Sequence, residues 1–411
     1  MDRETLSIVI TGHVDHGKST LIGRLLLETK SLPREKLAEI RKLSATLGKD
    51  TEIAYLTDQF KEERSREMTI DTTQIFFKTR KRDYVIIDSP GHLELIKNMI
   101  TGATLAETAI LIVDATEGIM EQTRRHAYII AMIGIKNIII TINKMDMVNY
   151  NQKRFEDISD EIKQFFTALG LITSFIIPIS AKEGINISKK TPLLEWYKGP
   201  SFLRALDMLK PTPEKTGKHL RFPVQDTYKI DGEQVLVGKI LSGSFVKGKD
   251  VIILPGPEKA KIQSLKIFNK TPKIASAGEN IGIALDRKTK IKRGYVLVDD
   301  IDKAHLVNSF QGNIFWMSEK PLEVNKAFKM RCSTQEVDCV AEKIETKIDS
   351  STFEIIPENK SQVKLNESAR VIFKTEKPIV IEEFNTLKEL GRFVIEDKNS
   401  ALLGAGIIIS C

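Results

Sequence analysis

The sequence predicts an α/β domain built on a doubly wound, mostly parallel sheet, followed by two β-barrels. Three observations predict it. The first 210 residues alternate apolar strand runs with stretches of helical periodicity. The segment Lys210-Pro211-Thr212-Pro213-Glu214-Lys215-Thr216-Gly217-Lys218 then breaks the pattern, with two prolines, a glycine and almost no apolar residues. Beyond it, short β-branched runs recur between turn residues at a spacing that suits barrels. The expected domains are 1–210, 211–305 and 306–411.

Taken in order, the strands of the first domain are expected at 6–10, 73–80, 84–88, 109–113, 137–142 and 175–179. Several are unbroken Ile/Val runs, as in strands covered on both faces. Helices are expected between them at 121–133, 154–169 and 201–209. In the second and third domains the clearest strand signals lie at 234–241, 250–254 and 281–284, and then at 313–317, 337–344, 369–373 and 405–409.

Length and charge set bounds. A chain of 411 residues exceeds what one core organises. No apolar run is long enough for a membrane helix and the first residues lack signal-peptide anatomy, so a cytoplasmic protein is expected. Cys332, Cys339 and Cys411 are few and odd in number, and Cys332 and Cys339 have poor zinc spacing, which reads as ordinary thiols. The net charge of +7 is uneven. Residues 1–210 carry 30 basic and 28 acidic groups, residues 211–305 carry 18 and 11, and residues 306–411 carry 14 and 16. The excess therefore lies in the middle segment, without the interleaved aromatics of a nucleic-acid stripe.

The chemistry concentrates in the first domain. Gly12-His13-Val14-Asp15-His16-Gly17-Lys18-Ser19-Thr20 follows the first strand and opens a helix. Glycines let backbone N–H groups wrap phosphates, Lys18 supplies a cation for the β- and γ-phosphates, and the Ser19 hydroxyl suits Mg²⁺. A second run, Gly243-Ser244-Phe245-Val246-Lys247-Gly248-Lys249, has the same glycine spacing. There Asp250 replaces the hydroxyl residue and a strand follows, so a β-turn is expected.

Asp88-Ser89-Pro90-Gly91-His92 closes a strand. Asp88 is placed to hold Mg²⁺, Gly91 to sense the γ-phosphate and His92 to orient the attacking water. Asn143-Lys144-Met145-Asp146 ends another strand. Its Asp146 carboxylate can accept from guanine N1–H and the exocyclic amine, donors that adenine lacks on that edge. Ser180-Ala181-Lys182 would support the base through the Ala181 N–H. Thr69, after a charged stretch, is the candidate switch threonine for Mg²⁺. Together these motifs specify GTP with Mg²⁺.

With those motifs in hand, the chain resembles the elongation-factor Tu group of translational GTPases over essentially its whole length. The resemblance implies that His92 is the catalytic histidine and that Val14 and Met68 form an apolar gate beside it. Within the group it looks most like the GTPase subunit of bacterial ATP sulfurylase. Leu21-Ile22-Gly23-Arg24-Leu25-Leu26 with Thr29-Lys30-Ser31-Leu32, Ile53-Ala54-Tyr55-Leu56-Thr57-Asp58, Glu121-Gln122-Thr123-Arg124-Arg125-His126 and Phe315-Trp316-Met317-Ser318-Glu319-Lys320-Pro321-Leu322 carry that similarity. It implies GTP hydrolysis coupled to adenosine 5'-phosphosulfate synthesis, with an ATP-pyrophosphatase-type sulfurylase subunit as catalytic partner. The alternative is delivery of aminoacyl-tRNA to the ribosome. Two departures bear on the choice: Glu67-Met68 replaces the group's Gly-Ile, and His16 stands where sulfurylase subunits often carry an acid.

Overall fold

The computed structural model describes residues 4–32, 73–88, 106–210, 219–230, 232–267, 271–349, 354–357 and 360–411. The described residues up to Lys210 form one compact unit and those from His219 onward form another.

The first unit is a six-stranded sheet. Its strands are β1 (Thr5–Gly12), β2 (Thr73–Lys78), β3 (Asp83–Asp88), β4 (Thr108–Asp114), β5 (Asn137–Asn143) and β6 (Phe175–Pro178). The order is β2-β3-β1-β4-β5-β6. Only the β2–β3 pair is antiparallel; the other four pairs are parallel. Every residue of β4 is buried, and so is every residue of β5 after Asn137. Helices on both faces exclude water from these strands, which is why they read as continuous apolar runs.

Helices α1 (Lys18–Glu28), α2 (Glu121–Ile133), α3 (Gln152–Ala168) and α4 (Phe202–Met208) connect or follow the strands. In α1, Leu21, Ile22, Leu25 and Leu26 form the buried stripe that a 3.6-residue period dictates. Helix α2 stops at Gly134, whose left-handed φ of 68° closes it. Helix α3 starts where the Asn151 side chain accepts from Arg154 N–H at 2.9 Å. Helix α4 is fastened to the sheet by Asp207, whose Oδ1 accepts from Tyr84 Oη at 2.6 Å and from Thr79 Oγ1 at 2.7 Å. Tyr84 also stacks on Phe77, with centroids 4.7 Å apart.

The second unit holds two β bodies. The first pairs seven strands in the order Arg221–Pro223, Val296–Val298, Asp250–Leu254, Glu258–Lys266, Asn280–Leu285, Glu233–Lys239 and Asp226–Ile230. The second is a closed barrel in the order His305–Trp316, Glu367–Ile381, Gln335–Asp349, Ala327–Cys332, Arg392–Glu396 and Leu402–Ser410. An apolar seam of Leu254, Val296, Val298 and Val380 joins the two bodies. Beside it, Arg221 Nε meets Glu382 Oε1 at 2.6 Å with both side chains nearly buried. Removing either partner would strand a buried charge, so this pair fixes which surfaces meet more than it adds stability.

Barrel strands run well beyond their apolar sequence signal. Gln335–Asp349 and Glu367–Ile381 each span 15 residues. Charged residues such as Glu336, Asp338, Arg370 and Lys374 take exposed positions along them, which hides length from a search for apolar runs. Cys332 and Cys339 lie in the barrel core, where desolvation pushes both thiols up to about 12. Cys411 is exposed. Among the described residues no helix is long and apolar enough to cross a membrane.

Candidate nucleotide site

Parallel strands β1, β3, β4, β5 and β6 all end on one edge of the sheet. β3 and β4 flank β1 on opposite sides, the reversal of strand order beside which open α/β sheets form a ligand crevice. Gly12, Asp88, Asp114 and Asn143 are the last residues of their strands, so the sequence motifs converge on that crevice.

The glycine loop is shaped by contacts that admit no side chain at two positions. A Cβ on Gly12 would sit 2.5 Å from the Ile112 carbonyl oxygen on β4. Gly17, the N-cap of α1, has φ +96°, and a Cβ there would sit 2.4 Å from Asn143 Nδ2. Lys18 Nζ donates to Gly12 O and His13 O, both at 2.8 Å, which folds the ammonium back over its own loop. Ser19 and Thr20 occupy the first turn of α1 and are half-buried, whereas Val14 and Asp15 are exposed.

The two loop histidines are tied to the connection that follows β4. His16 is fully buried; its Nε2 lies 3.1 Å from Glu117 Oε2, and its Nδ1 lies 3.3 Å from both Asp114 N and Ile112 O. His13 Nδ1 lies 2.8 Å from Gln122 Oε1 on the first turn of α2 and packs edge-on against His16.

Asn143 joins the glycine loop to the other motif loops. Its Nδ2 donates to His16 O at 2.8 Å and its Oδ1 accepts from Ala181 N–H at 2.9 Å. Ser180 Oγ accepts from Glu183 N–H at 3.2 Å, and Arg24 of α1 donates through Nε to Ala181 O at 3.0 Å and through Nη2 to Lys182 O. The Lys182 side chain is exposed. Lys144 adopts φ 60° and turns the chain into a short helical turn, Met145–Val148, that carries Asp146. Asp146 Oδ1 is buried and has no hydrogen-bond donor among the described residues. A buried acceptor of this kind costs free energy unless a donor reaches it. Guanine's N1–H and amine are donors of the required type, so the site fits a guanine nucleotide.

The structure thus brings together His13, Val14, Asp15, His16, Gly17, Lys18, Ser19, Thr20, Asn143, Lys144, Asp146, Ser180, Ala181 and Lys182. Asp88 closes β3 beside them, but its carboxylate lies outside the described residues, as do Thr69, Gly91, His92, Glu67 and Met68. Sequence reasoning passed over Asp114, Glu117, Gln122 and Arg24. Asp114 carried a usable signal, since an acid at the C-terminal end of a parallel strand is the same cue that singled out Asp88.

Residues 3–212 match the model of the elongation factor Tu GTP binding domain. Residues 309–409 match the GTP-eEF1A C-terminal domain-like family. The chain belongs to the elongation factor Tu family of GTP-binding proteins. Among its relatives are proteins named elongation factor 1-alpha from Pyrococcus furiosus (38% identical), Pyrococcus abyssi (39%) and Methanosphaerula palustris (36%). Each alignment spans 100% of this chain, with 98%, 98% and 97% of the respective relatives covered.

These relatives overturn the sulfurylase assignment. Neither a GTPase subunit of sulfate adenylyltransferase, nor coupling to adenosine 5'-phosphosulfate synthesis, nor an ATP-pyrophosphatase-type partner is supported by full-length relatives that bear an elongation factor's name. The structure gives the physical reason for the misreading. Leu21, Ile22, Leu25 and Leu26 are the buried face of α1, and residues 121–126 open α2. Trp316 is a fully buried barrel side chain whose Nε1 donates to Lys320 O at 2.8 Å. These stretches pack the fold, and Arg24 and Gln122 within them brace the motif loops.

Proposed function

We propose that this chain is a GTP-driven translation elongation factor that carries aminoacyl-tRNA to the ribosome. The observation that carries this reading is the similarity to proteins named elongation factor 1-alpha across the whole chain, including the C-terminal barrel. The buried, donor-less Asp146 oxygen supports the choice of guanine within it.

In this reading residues 12–20 wrap the phosphates, with Lys18 screening the charge between the β- and γ-groups. Ser19, Thr69 and Asp88 would hold Mg²⁺, a hard cation suited to their hydroxyl and carboxylate oxygens. When bound, the ion neutralises phosphate charge and fixes the γ-group for in-line attack. Asn143 keeps the glycine loop and the Ala181 turn in register; Asp146 reads the base and the Ala181 N–H borders it. Gly91 senses the γ-phosphate and His92 orients the water, with Val14 and Met68 limiting its approach. Residues 1–210 carry nucleotide chemistry, and residues 211–305 and 306–411 serve as the two further domains. Loss of the γ-phosphate removes the group that Thr69 and Gly91 would contact, and this changes the protein's affinity for the tRNA.

The test is the lifetime of the aminoacyl ester. Mixed with the GTP-bound protein, aminoacyl-tRNA should deacylate several-fold more slowly than with the GDP-bound protein. Protection should weaken as salt rises, because phosphate contacts release counterions. Equal deacylation at saturating GTP and low salt sinks the proposal.

A further inference from the structure

We propose that Asp114 is a positioning residue for the guanine nucleotide, acting by holding the Lys144 side chain beside the base site. The inference rests on the assignment of residues 143–146 to the base site and adds a residue that no motif contains.

Asp114 closes β4 with a side chain only 1% exposed. A carboxylate in that setting requires a counter-charge and hydrogen bonds. One oxygen has the hydrogen bonds and the other has the counter-charge. Oδ1 accepts from Thr116 N–H at 2.8 Å and from Thr116 Oγ1 at 2.7 Å. Oδ2 faces the Lys144 ammonium at 2.6 Å and receives no second donor among the described residues. Burial pushes the Asp114 carboxyl up, but Lys144 and Thr116 outweigh it and hold the group below the usual carboxylate range. Asp114 is therefore charged at neutral pH, and the ion pair persists.

What the pair does follows from where Lys144 sits. Its backbone occupies the left-handed region at the pivot between β5 and the turn that bears Asp146. One residue away, Asn143 grips both His16 O and Ala181 N–H. A lysine side chain has four rotatable bonds, and its side chain here is 35% exposed, so without Asp114 it would sample solvent. The carboxylate removes that freedom before nucleotide arrives. The Asp114 backbone N–H also faces His16, so one residue touches both the phosphate loop and the base loop. This is preorganisation, which acts on affinity and dwell time rather than on base choice.

The experiment compares wild type, Asp114→Asn, Lys144→Met and the double variant in GTP and GDP affinity and GDP dissociation. Asp114→Asn keeps an acceptor for Thr116 and removes the negative charge that faces Lys144. It should weaken GTP and GDP alike, by about three- to ten-fold, the scale of one immobilised long side chain, mainly through faster release. Its preference for GTP over xanthosine triphosphate should not change. Lys144→Met should weaken binding at least as much and also lower the thermal midpoint, since Asp114 is left buried and unpaired. In the double variant the affinity should equal that of Lys144→Met and the thermal midpoint should recover.

If Asp114→Asn leaves affinity and GDP release at wild-type values, or if the two losses multiply in the double variant, Asp114 does not act through Lys144. A wild-type affinity for Lys144→Met also overturns the inference. If the wild-type protein itself fails to bind GTP, the site assignment falls first and the inference with it.

Discussion

Two loops in this chain share one sequence pattern, two glycines five residues apart followed by lysine, and their surroundings send them to different fates. Residues 12–19 leave an interior strand of a mostly parallel sheet and run into α1, so the last of their N–H groups enter a first helical turn, where intrahelical acceptors are lacking. Residues 243–249 lie in a β body. Lys247 N–H donates to Lys273 O at 2.9 Å, Gly248 N–H to Ile262 O at 2.8 Å and Lys249 N–H to Val246 O at 3.1 Å. Asp250–Leu254 then continues as a strand. The second loop has committed its donors to sheet and turn. Glycine spacing lets a backbone bend; the element that follows decides whether the bend leaves donors for an anion.

The comparison is tested hardest at the base, where the first unit holds the proposed reader Asp146. Asp146→Asn should reverse preference from guanosine to xanthosine triphosphate, because an amide donates where the carboxylate only accepts. Hydrogen-bond readers discriminate by roughly 10⁴-fold, so the swing should approach that size in competition binding. Retained GTP affinity without any gain for the xanthine nucleotide would remove Asp146 as the reader.

Lysine gives the next contrast. Lys18→Ala should cost about 10- to 100-fold in GTP affinity, the worth of a charged hydrogen bond to phosphate. Lys249→Ala should leave affinity unchanged within error. Titration with a fluorescent GTP analogue checks both, and an equal loss in the two variants would erase the distinction between the loops.

The first unit was the more legible of the two for a physical reason. Strands buried on both faces write unbroken runs such as Ile138-Ile139-Ile140, and α2 was read at its observed bounds because Gly134 ends it. Long barrel strands were read at a third to a half of their length because charged residues take many of their exposed positions. The phosphate and base loops were legible because several residue types must recur in fixed order. Asp114 shared the strand-end cue of Asp88 but stood in no multi-residue motif, and its role is visible only when Lys144 is seen against it. The branch assignment failed for a related reason. Short shared stretches such as 315–322 report packing inside a fold that the whole group shares.

The smallest expected effect isolates sterics from strain. Gly17 and Gly248 have similar left-handed φ values, +96° and +84°, so alanine meets a similar conformational penalty at each, about 1–2 kcal/mol. What differs is the space. A Cβ at Gly17 would stand 2.4 Å from Asn143 Nδ2, whereas one at Gly248 would meet nothing within 4 Å. Gly17→Ala must displace the Asn143 amide and with it the links to His16 and Ala181, so it should lower both stability and GTP affinity. Gly248→Ala should lower the thermal midpoint of the second unit by only a few degrees, as roughly 1 kcal/mol does in domains of this size, and leave GTP affinity at the wild-type value. Calorimetry and nucleotide titration on the two variants check this. A comparable loss of GTP affinity in both would mean that strain alone disables the site, and the Asn143 contact would no longer explain why residue 17 is glycine.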